Sequence, residues 1–129
     1  MSYSIEKLPD DPIIITTMFE DFSMDQSEPF LDELIDLFDS LVEPVYLIAD
    51  VDRYTFSVQD MLVALNVAVQ GSRAIMHHPN LAGTVVVTSS KMMKLASKGA
   101  KSDAFGNIQT EVFETLEEAL DHIRSRLYT

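Results

Sequence analysis

The amino-acid sequence predicts an α/β fold: a mixed, mainly parallel five-stranded sheet with about four helices and an antiparallel first strand. Short apolar and β-branched runs alternate with longer segments whose apolar residues recur every three or four positions. The order along the 129 residues is β-β-α-β-α-β-α-β-α. Repeated strand–helix units give parallel strands joined by right-handed crossovers. No low-complexity linker divides the chain, so we expect one domain over residues 1–129.

The first two strands are predicted from "SIEKLPDDPIIITTMF". Three consecutive isoleucines favour extended backbone, whereas the Pro-Asp-Asp-Pro sequence between the strands favours a turn. Two strands this close in sequence pair antiparallel, so the first strand is expected to be the antiparallel member of the sheet.

The first helix is predicted from "SMDQSEPFLDELIDLFDSLVEP". It has one or two pieces, because Ser23 with Gln26 and Ser27 with Pro29 each offer a start, and Pro44 ends it. Seven apolar residues at helical spacing form its predicted buried face: Phe30, Leu31, Leu34, Ile35, Phe38, Leu41 and Val42. Four acidic residues form a stripe on the opposite face: Asp32, Asp36, Asp39 and Glu43.

The central strand and the second helix are predicted from "VYLIADV" and from the segment that begins at Ser57 and runs to about Met76. The strand is apolar at nearly every position, which is typical of a strand covered on both faces. Ser57 with Asp60 matches the Ser-x-x-acid pattern of a helix cap. The helix contains the apolar run "MLVALNVAV", which predicts that it is buried.

The remaining elements are a strand in "AGTVVVTS", a third helix in "SKMMKLASKGAK" that ends near Gly99, and a strand in "IQTEVFE". The last helix is predicted from "TLEEALDHIRSRL", with Thr115 as its cap and Glu118 three positions later. Arg124 and Arg126 lie at its carboxyl end, where the helix dipole favours cations.

Composition excludes several classes of function. The chain has no cysteine, which rules out disulfides, thiol nucleophiles and thiolate metal sites and fits a reducing compartment. The net charge of −12 repels a phosphate backbone, so we expect no nucleic-acid partner. No apolar run approaches the ~18 residues of a membrane span, and the amino terminus does not match a secretory signal. We therefore expect an acidic cytoplasmic protein without membrane insertion.

No motif predicts catalysis. The four glycines form no cluster at a strand–helix turn, which excludes the common nucleotide-binding loops. His77 and His78 are adjacent, so on a helix they point about 100° apart and do not converge on one metal. Acidic residues follow two strands, as in the Mg²⁺ site of response-regulator receivers, but "TVVVTS" lacks the aspartate that accepts phosphate there. We expect no enzyme, no metal and no cofactor.

Four segments together carry a resemblance to a known family: "LPDDPIIITTMFEDFSMDQSEPFLDEL", "VYLIADVDRYTFSVQDMLVAL", "LAGTVVVTSSKMMKLASK" and "TEVFETLEEALDHI". They resemble the STAS domain and, within it, the stand-alone SpoIIAA-like branch, whose members are like anti-sigma-factor antagonists. The last segment is the most specific, because F-x-x-x-E-E-A-L leads from the closing strand into the final helix. The resemblance implies a non-enzymatic regulatory or protein-interaction module.

The resemblance also implies a role for Ser57. In anti-sigma-factor antagonists of this fold, a partner kinase phosphorylates a serine or threonine in an Asp-Ser-Ser-Gly-like loop, and the partner is then released. Ser57 is the nearest counterpart, although its loop reads Phe-Ser-Val-Gln. The resemblance thus implies a phosphorylation switch at Ser57 and an anti-sigma-type kinase as partner. The simpler alternative is a helix cap, which contributes about 1 kcal/mol and needs no other role.

Two further hypotheses concern what the protein binds. We expect a partner surface that combines residues near Ser57 with lysines of the third helix: Asp52, Arg53, Tyr54, Asp60, Lys91, Lys94 and Lys98. The lysines are either a solvated face or a contact for an acidic surface, such as the acidic stripe of a second copy, which would give a homodimer. The alternative function is binding of a small apolar or lipid-like ligand between the second helix and the sheet.

Overall fold

The computed structural model describes residues 2–55, 57, 59–60, 78–91, 94 and 110–127. In chain order its elements are β1 (Tyr3–Lys7), β2 (Ile13–Met18), a 3-10 turn (Met24–Gln26), α1 (Ser27–Ser40), β3 (Val45–Asp50), β4 (Leu81–Val87), β5 (Thr110–Phe113) and α2 (Leu116–Leu127). The described residues thus contain two helices rather than the predicted four. The second and third predicted helices lie largely outside the described residues, which include only isolated helical positions from them.

The five strands form one sheet in the order β1-β2-β3-β4-β5. β1 pairs antiparallel with β2, and the other three neighbouring pairs are parallel. The prediction of a mixed, mainly parallel sheet with an antiparallel first strand is confirmed. The four parallel strands begin at one edge of the sheet, called the amino edge below, and end at the opposite edge, called the carboxyl edge.

Both faces of the sheet are buried. In the parallel register Ile14 lies beside Leu47 and Ile15 beside Ile48, and alternate residues of a strand point to opposite faces. On one face the strands pack against α1 in a cluster of Ile14, Phe22, Phe30, Leu34, Ile35, Phe38, Val45 and Leu47. On the other they pack against α2 in a cluster of Ile13, Ile15, Ile48, Val85, Val87, Ala119 and Ile123. The prediction that the central strand is covered on both faces is confirmed.

The first helix ends earlier than predicted. The 3-10 turn precedes α1, so the two-piece alternative is confirmed, and the Gln26 side chain accepts the N–H of Ser23 at 3.0 Å. α1 ends at Ser40, and Leu41 has extended backbone. Val42 is consequently 96% exposed, and its predicted place on the buried face of the helix was wrong.

Asn80 explains why the helix ends where it does. Its side-chain amide donates hydrogen bonds to the carbonyl of Phe38 at 3.0 Å and to that of Leu41 at 3.1 Å. The last carbonyls of a helix have no partner inside the helix, so an amide from another segment can satisfy them. Asn80 precedes β4, and the two bonds therefore tie the end of α1 to the start of that strand.

Two more contacts fasten the amino edge. Arg124 donates through Nε and Nη2 to one carboxylate oxygen of Asp11, at 3.2 and 3.1 Å, which joins α2 to the turn between β1 and β2. His78 Nε2 lies 2.6 Å from Asp39 Oδ1. The N–H of Asn80 donates to His78 Nδ1 at 3.0 Å, so Nδ1 is unprotonated and Nε2 carries the hydrogen that Asp39 accepts.

Candidate functional site

Ser57 lies at the carboxyl edge, in the loop that follows β3, and its side chain is exposed. Its hydroxyl oxygen accepts the N–H of Asp60 at 3.0 Å, and Asp60 Oδ2 accepts the N–H of Ser57 at 3.3 Å. This reciprocal pair is a capping box, in which each side chain satisfies a backbone donor at the start of a helix. The cap predicted at Ser57 is confirmed.

Tyr54 joins the same carboxylate. Its hydroxyl donates to Asp60 Oδ2 at 3.3 Å, so one oxygen of Asp60 accepts both the Tyr54 hydroxyl and the Ser57 backbone. Burial of the ring raises the pKa of Tyr54, and the negative charge and the hydrogen bond of Asp60 raise it further. Tyr54 is therefore a neutral donor that holds Asp60 in the cap.

Aromatic contacts connect this turn to the core. The ring of Tyr54 meets that of Phe22 edge-to-face, with centroids 5.5 Å apart. Phe22 is buried and makes the same kind of contact with Tyr3 and with Phe30. The guanidinium carbon of Arg53 lies 5.5 Å from the centre of the Phe19 ring, a cation–π distance. Two neighbouring residues of the loop after β3 thus rest on the loop after β2.

Asp52 contacts the loop after β4. Its Oδ1 accepts the N–H of Ser89 at 2.7 Å and the Ser89 hydroxyl at 2.8 Å, and these hydrogen bonds lower the pKa of Asp52. Asp50, at the end of β3, behaves oppositely: burial raises the pKa of Asp50, although the N–H of Asp52 donates to it at 3.2 Å. The two acids therefore differ in how readily each takes up a proton.

The predicted lysine surface is only partly visible. Lys94 Nζ lies 2.8 Å from Glu114 Oε1, and this hydrogen bond and charge lower the pKa of Glu114. Lys91 is exposed, whereas Lys98 lies outside the described residues. Lys94 thus contacts an acid of its own chain, and Asp39 of the acidic stripe contacts His78. Association of two copies through lysines and acids stays a prediction.

A cavity of about 500 Å³ lies between the start of β1, the loop after β2 and α1. Ser2, Tyr3, Asp21, Gln26 and Glu33 line it. Burial and the hydrogen bond with Glu33 raise the pKa of Tyr3. The lining is polar and open, unlike the apolar enclosure expected for a lipid-like ligand. The site predicted for such a ligand involves the second helix, which lies outside the described residues.

The described residues of the carboxyl edge present hydrogen-bonding groups and charges. Among residues 2–55, 57, 59–60, 78–91, 94 and 110–127, no group of three or more histidine or acidic side chains could hold a metal ion. Within the same part of the chain, no helix combines the length and apolar composition that crossing a membrane requires.

The structure brings some of the predicted residues together and separates others. Tyr54 and Asp60 contact the Ser57 cap directly, whereas Arg53 stacks on Phe19 and Asp52 bonds to Ser89. The sequence analysis missed the aromatic partners, Ser89 and Glu114. A signal existed for Ser89, because it follows β4 as Asp52 follows β3 and neighbouring parallel strands end at the same edge. No comparable signal identifies Phe19 or Phe22.

Comparisons with known proteins support the fold. No family model matches the chain, and no curated protein matches it. A similar solved structure is that of an uncharacterized protein of the DUF3478 family, with a SpoIIAA-like fold, from Shewanella loihica PV-4. It is 15% identical, with a TM-score of 0.61, over 92% of this chain and 90% of that one. The chain therefore has a SpoIIAA-like fold, which confirms the resemblance seen in the sequence at the level of fold.

Proposed function

We propose that the protein is a non-enzymatic regulatory module that binds another protein through its carboxyl edge, and that phosphorylation of Ser57 controls this binding. The supporting observation is the exposed Ser57 hydroxyl at a helix start, in a turn that contacts Tyr54 and Asp60. The SpoIIAA-like fold is the second support, because anti-sigma-factor antagonists of this fold act through a serine or threonine at the corresponding helix.

A phosphate on Ser57 would change the surface more than the fold. It adds a charge of about −1.5 to −2 and acceptor oxygens, and a helix amino terminus tolerates anions. The N–H of Asp60 already points at the hydroxyl oxygen that would carry the phosphate. The new charge would repel an acidic partner surface that approaches the same edge, which is how a small modification rejects a partner.

The contacts of the acidic side chains favour this role over catalysis. Ser57 accepts a hydrogen bond from a backbone N–H, and the neighbouring carboxylate of Asp60 bonds to backbone and tyrosine rather than to the serine hydroxyl. An activated serine needs a base that accepts its proton. Asp52 accepts a hydrogen bond from the Ser89 hydroxyl, but its lowered pKa makes it a weak base.

The experiment is phosphorylation by an anti-sigma-type serine kinase with ATP, followed by mass spectrometry to map the phosphate and calorimetry to measure binding of that kinase. We expect phosphate on Ser57 in the wild type. A Ser57→Ala variant should still bind the kinase but should not be phosphorylated at position 57. Ser57→Asp is expected to weaken binding about tenfold or more, because it adds a like charge at the contact.

Ser125→Asp is the matched control. Ser125 is exposed near the end of α2, toward the amino edge, where its hydroxyl donates to the carbonyl of His122. The control adds the same charge to the whole protein and should leave binding unchanged. Absence of phosphate on Ser57, together with equal binding by wild type and Ser57→Asp, would contradict the proposed function.

A further inference from the structure

One oxygen of Asp60 accepts two hydrogen bonds at the site of the proposed modification. The N–H of Ser57 and the hydroxyl of Tyr54 both donate to Oδ2, each at 3.3 Å. Both bonds are longer than the usual 2.7–3.2 Å range, so they hold the carboxylate weakly. In return the Asp60 N–H donates to the Ser57 hydroxyl at 3.0 Å, which places the Asp60 side chain in the same turn that would receive the phosphate.

Tyr54 has a different contact at each end. Its hydroxyl reaches Asp60, and its ring meets Phe22 at an interplanar angle of 87°. Phe22 is 4% exposed, and its N–H donates to the carbonyl of Phe19 at 3.0 Å, which closes the turn after β2. Arg53, one residue before Tyr54, rests on the Phe19 ring. Tyr54 and Arg53 together hold the loop after β3 against that turn.

We infer that Asp60 transmits a negative charge on Ser57 to the turn at Phe19–Phe22, through Tyr54. A dianion on the Ser57 oxygen and the Asp60 carboxylate cannot share one turn without strong repulsion. The repulsion moves Asp60 out of the cap, and Tyr54 loses the hydrogen bond that its hydroxyl donates to Asp60. The Tyr54 ring then loosens from Phe22, and the surface changed by phosphorylation extends from Ser57 to the Arg53–Phe19 stack.

This inference rests on the proposed function for its biological use, but its physical content can be measured without a kinase or a partner. It deepens the proposal by naming a second part of the surface that a partner would read. A partner that contacts Phe19 and Arg53 would lose affinity on phosphorylation even if it never touched Ser57.

The test compares Ser57→Glu with Ser57→Gln, two side chains of equal size that differ in charge and equally lack the capping hydroxyl. We expect the Tyr54 ring signals in NMR spectra, assigned with a Tyr54→Phe variant, to shift in Ser57→Glu and to stay near their wild-type positions in Ser57→Gln. The amide of Phe22 should exchange with solvent about tenfold faster in Ser57→Glu, because its turn has lost the Tyr54 contact.

Asp60→Asn is the control for the relay. An asparagine keeps an acceptor for Tyr54 without a negative charge, so Ser57→Glu in this background should leave the Tyr54 and Phe22 signals unchanged. If Ser57→Glu proves unfolded, Ser57→Asp is compared with Ser57→Asn in the same way. Equal Tyr54 and Phe22 signals in the charged and neutral variants would overturn the inference.

The two proposals fail separately. If phosphorylation abolishes partner binding but changes nothing at Tyr54, the inferred transmission through Asp60 and Tyr54 is wrong and the proposed control at Ser57 still stands. If the Tyr54 ring signals shift in Ser57→Glu but no kinase phosphorylates the protein, the inferred transmission stands and the proposed function is wrong.

Discussion

At the amino edge, polar contacts join segments that are distant in sequence: Arg124 with Asp11 and His78 with Asp39. One member of each pair is nearly buried, with side-chain exposures of 10% for Asp11 and 11% for His78. At the carboxyl edge, the Ser57 cap joins residues three positions apart, and the long-range pairs Asp52–Ser89 and Lys94–Glu114 are exposed. The polar contacts of the two edges therefore differ in burial.

This difference indicates at which edge side chains can be replaced without unfolding the protein. Long-range contacts with a nearly buried member are shielded from solvent and salt, so they stabilise the arrangement of helices against the sheet. Exposed pairs such as Lys94 with Glu114, at 37% and 63% side-chain exposure, contribute little and exchange readily with other partners. We therefore expect substitutions at the amino edge to cost more stability than substitutions at the carboxyl edge.

The largest expected effect is at Asn80. Asn80→Ala removes both hydrogen bonds to the end of α1 and leaves the carbonyls of Phe38 and Leu41 without those donors. We expect a loss of about 2 kcal/mol in the free energy of unfolding, measured with urea. The matched variant at the other edge is Ser89→Ala, which loses one exposed hydrogen bond to Asp52 and should cost about 0.5 kcal/mol. Equal costs at the two edges would contradict the comparison.

The next effect concerns Arg124 and Asp11. A double-mutant cycle with Arg124→Ala and Asp11→Asn should give a coupling of about 1 kcal/mol, because two N–H groups of Arg124 converge on one nearly buried carboxylate. The control cycle uses Arg126 and Glu111, whose side chains are 52% and 40% exposed, and should give less than half that coupling. A larger coupling in the control pair would show that burial does not decide the strength of these contacts.

A smaller effect concerns the pH dependence of the free energy of unfolding. Asp52 and Asp50 should contribute to it with opposite signs. The lowered pKa of Asp52 means that its stabilising contribution is present above the ordinary value of 3.8 and is lost as pH falls through the folded-state pKa. The raised pKa of Asp50 means the reverse: its charge opposes folding above the raised pKa, and this cost disappears as pH falls through that pKa to 3.8.

Asp52→Asn should therefore lower the free energy of unfolding at neutral pH, whereas Asp50→Asn should raise it. Urea unfolding of the two variants and the wild type between pH 3 and pH 7 measures both, and the differences from wild type should shrink as the pH falls. Two changes of the same sign would show that burial of Asp50 does not dominate its environment.

The smallest effect is expected for Lys94 and Glu114. Lys94→Ala should leave the thermal midpoint within error of the wild type at 150 mM salt, because both side chains are exposed and the pair is screened. A measurable drop in the thermal midpoint at low salt that disappears at high salt would show a weak stabilising ion pair at the carboxyl edge. A drop that salt does not change would contradict the comparison.

Much of the fold follows from local sequence. Ile13, Ile14 and Ile15 predict a buried strand because every position is apolar, and Thr115 with Glu118 predicts the start of α2, where the Glu118 N–H donates to the Thr115 hydroxyl at 3.2 Å. These signals depend on residues within one turn or one strand. The cap at Ser57 was predictable for the same reason.

The rest depends on contacts between distant segments. The end of α1 was placed too late, because the donor that satisfies its last carbonyls is Asn80, some forty residues away, and nothing near Val42 signals it. The contact of Tyr54 with Phe22 likewise requires the three-dimensional packing of two loops. The pairing of Ser57 with Asp60 could be named from the sequence, but the hydrogen bond that Tyr54 donates to the same carboxylate could not.

The exposed Val42 has a practical consequence. It follows α1 at the amino edge, and the chain contains no cysteine. A thiol introduced by Val42→Cys would be the single attachment point for a dye or a biosensor surface, about as far from the Ser57 turn as one strand is long. The protein can then be immobilised with the Ser57 turn facing solution, so that the proposed binding can be measured without steric interference from the support.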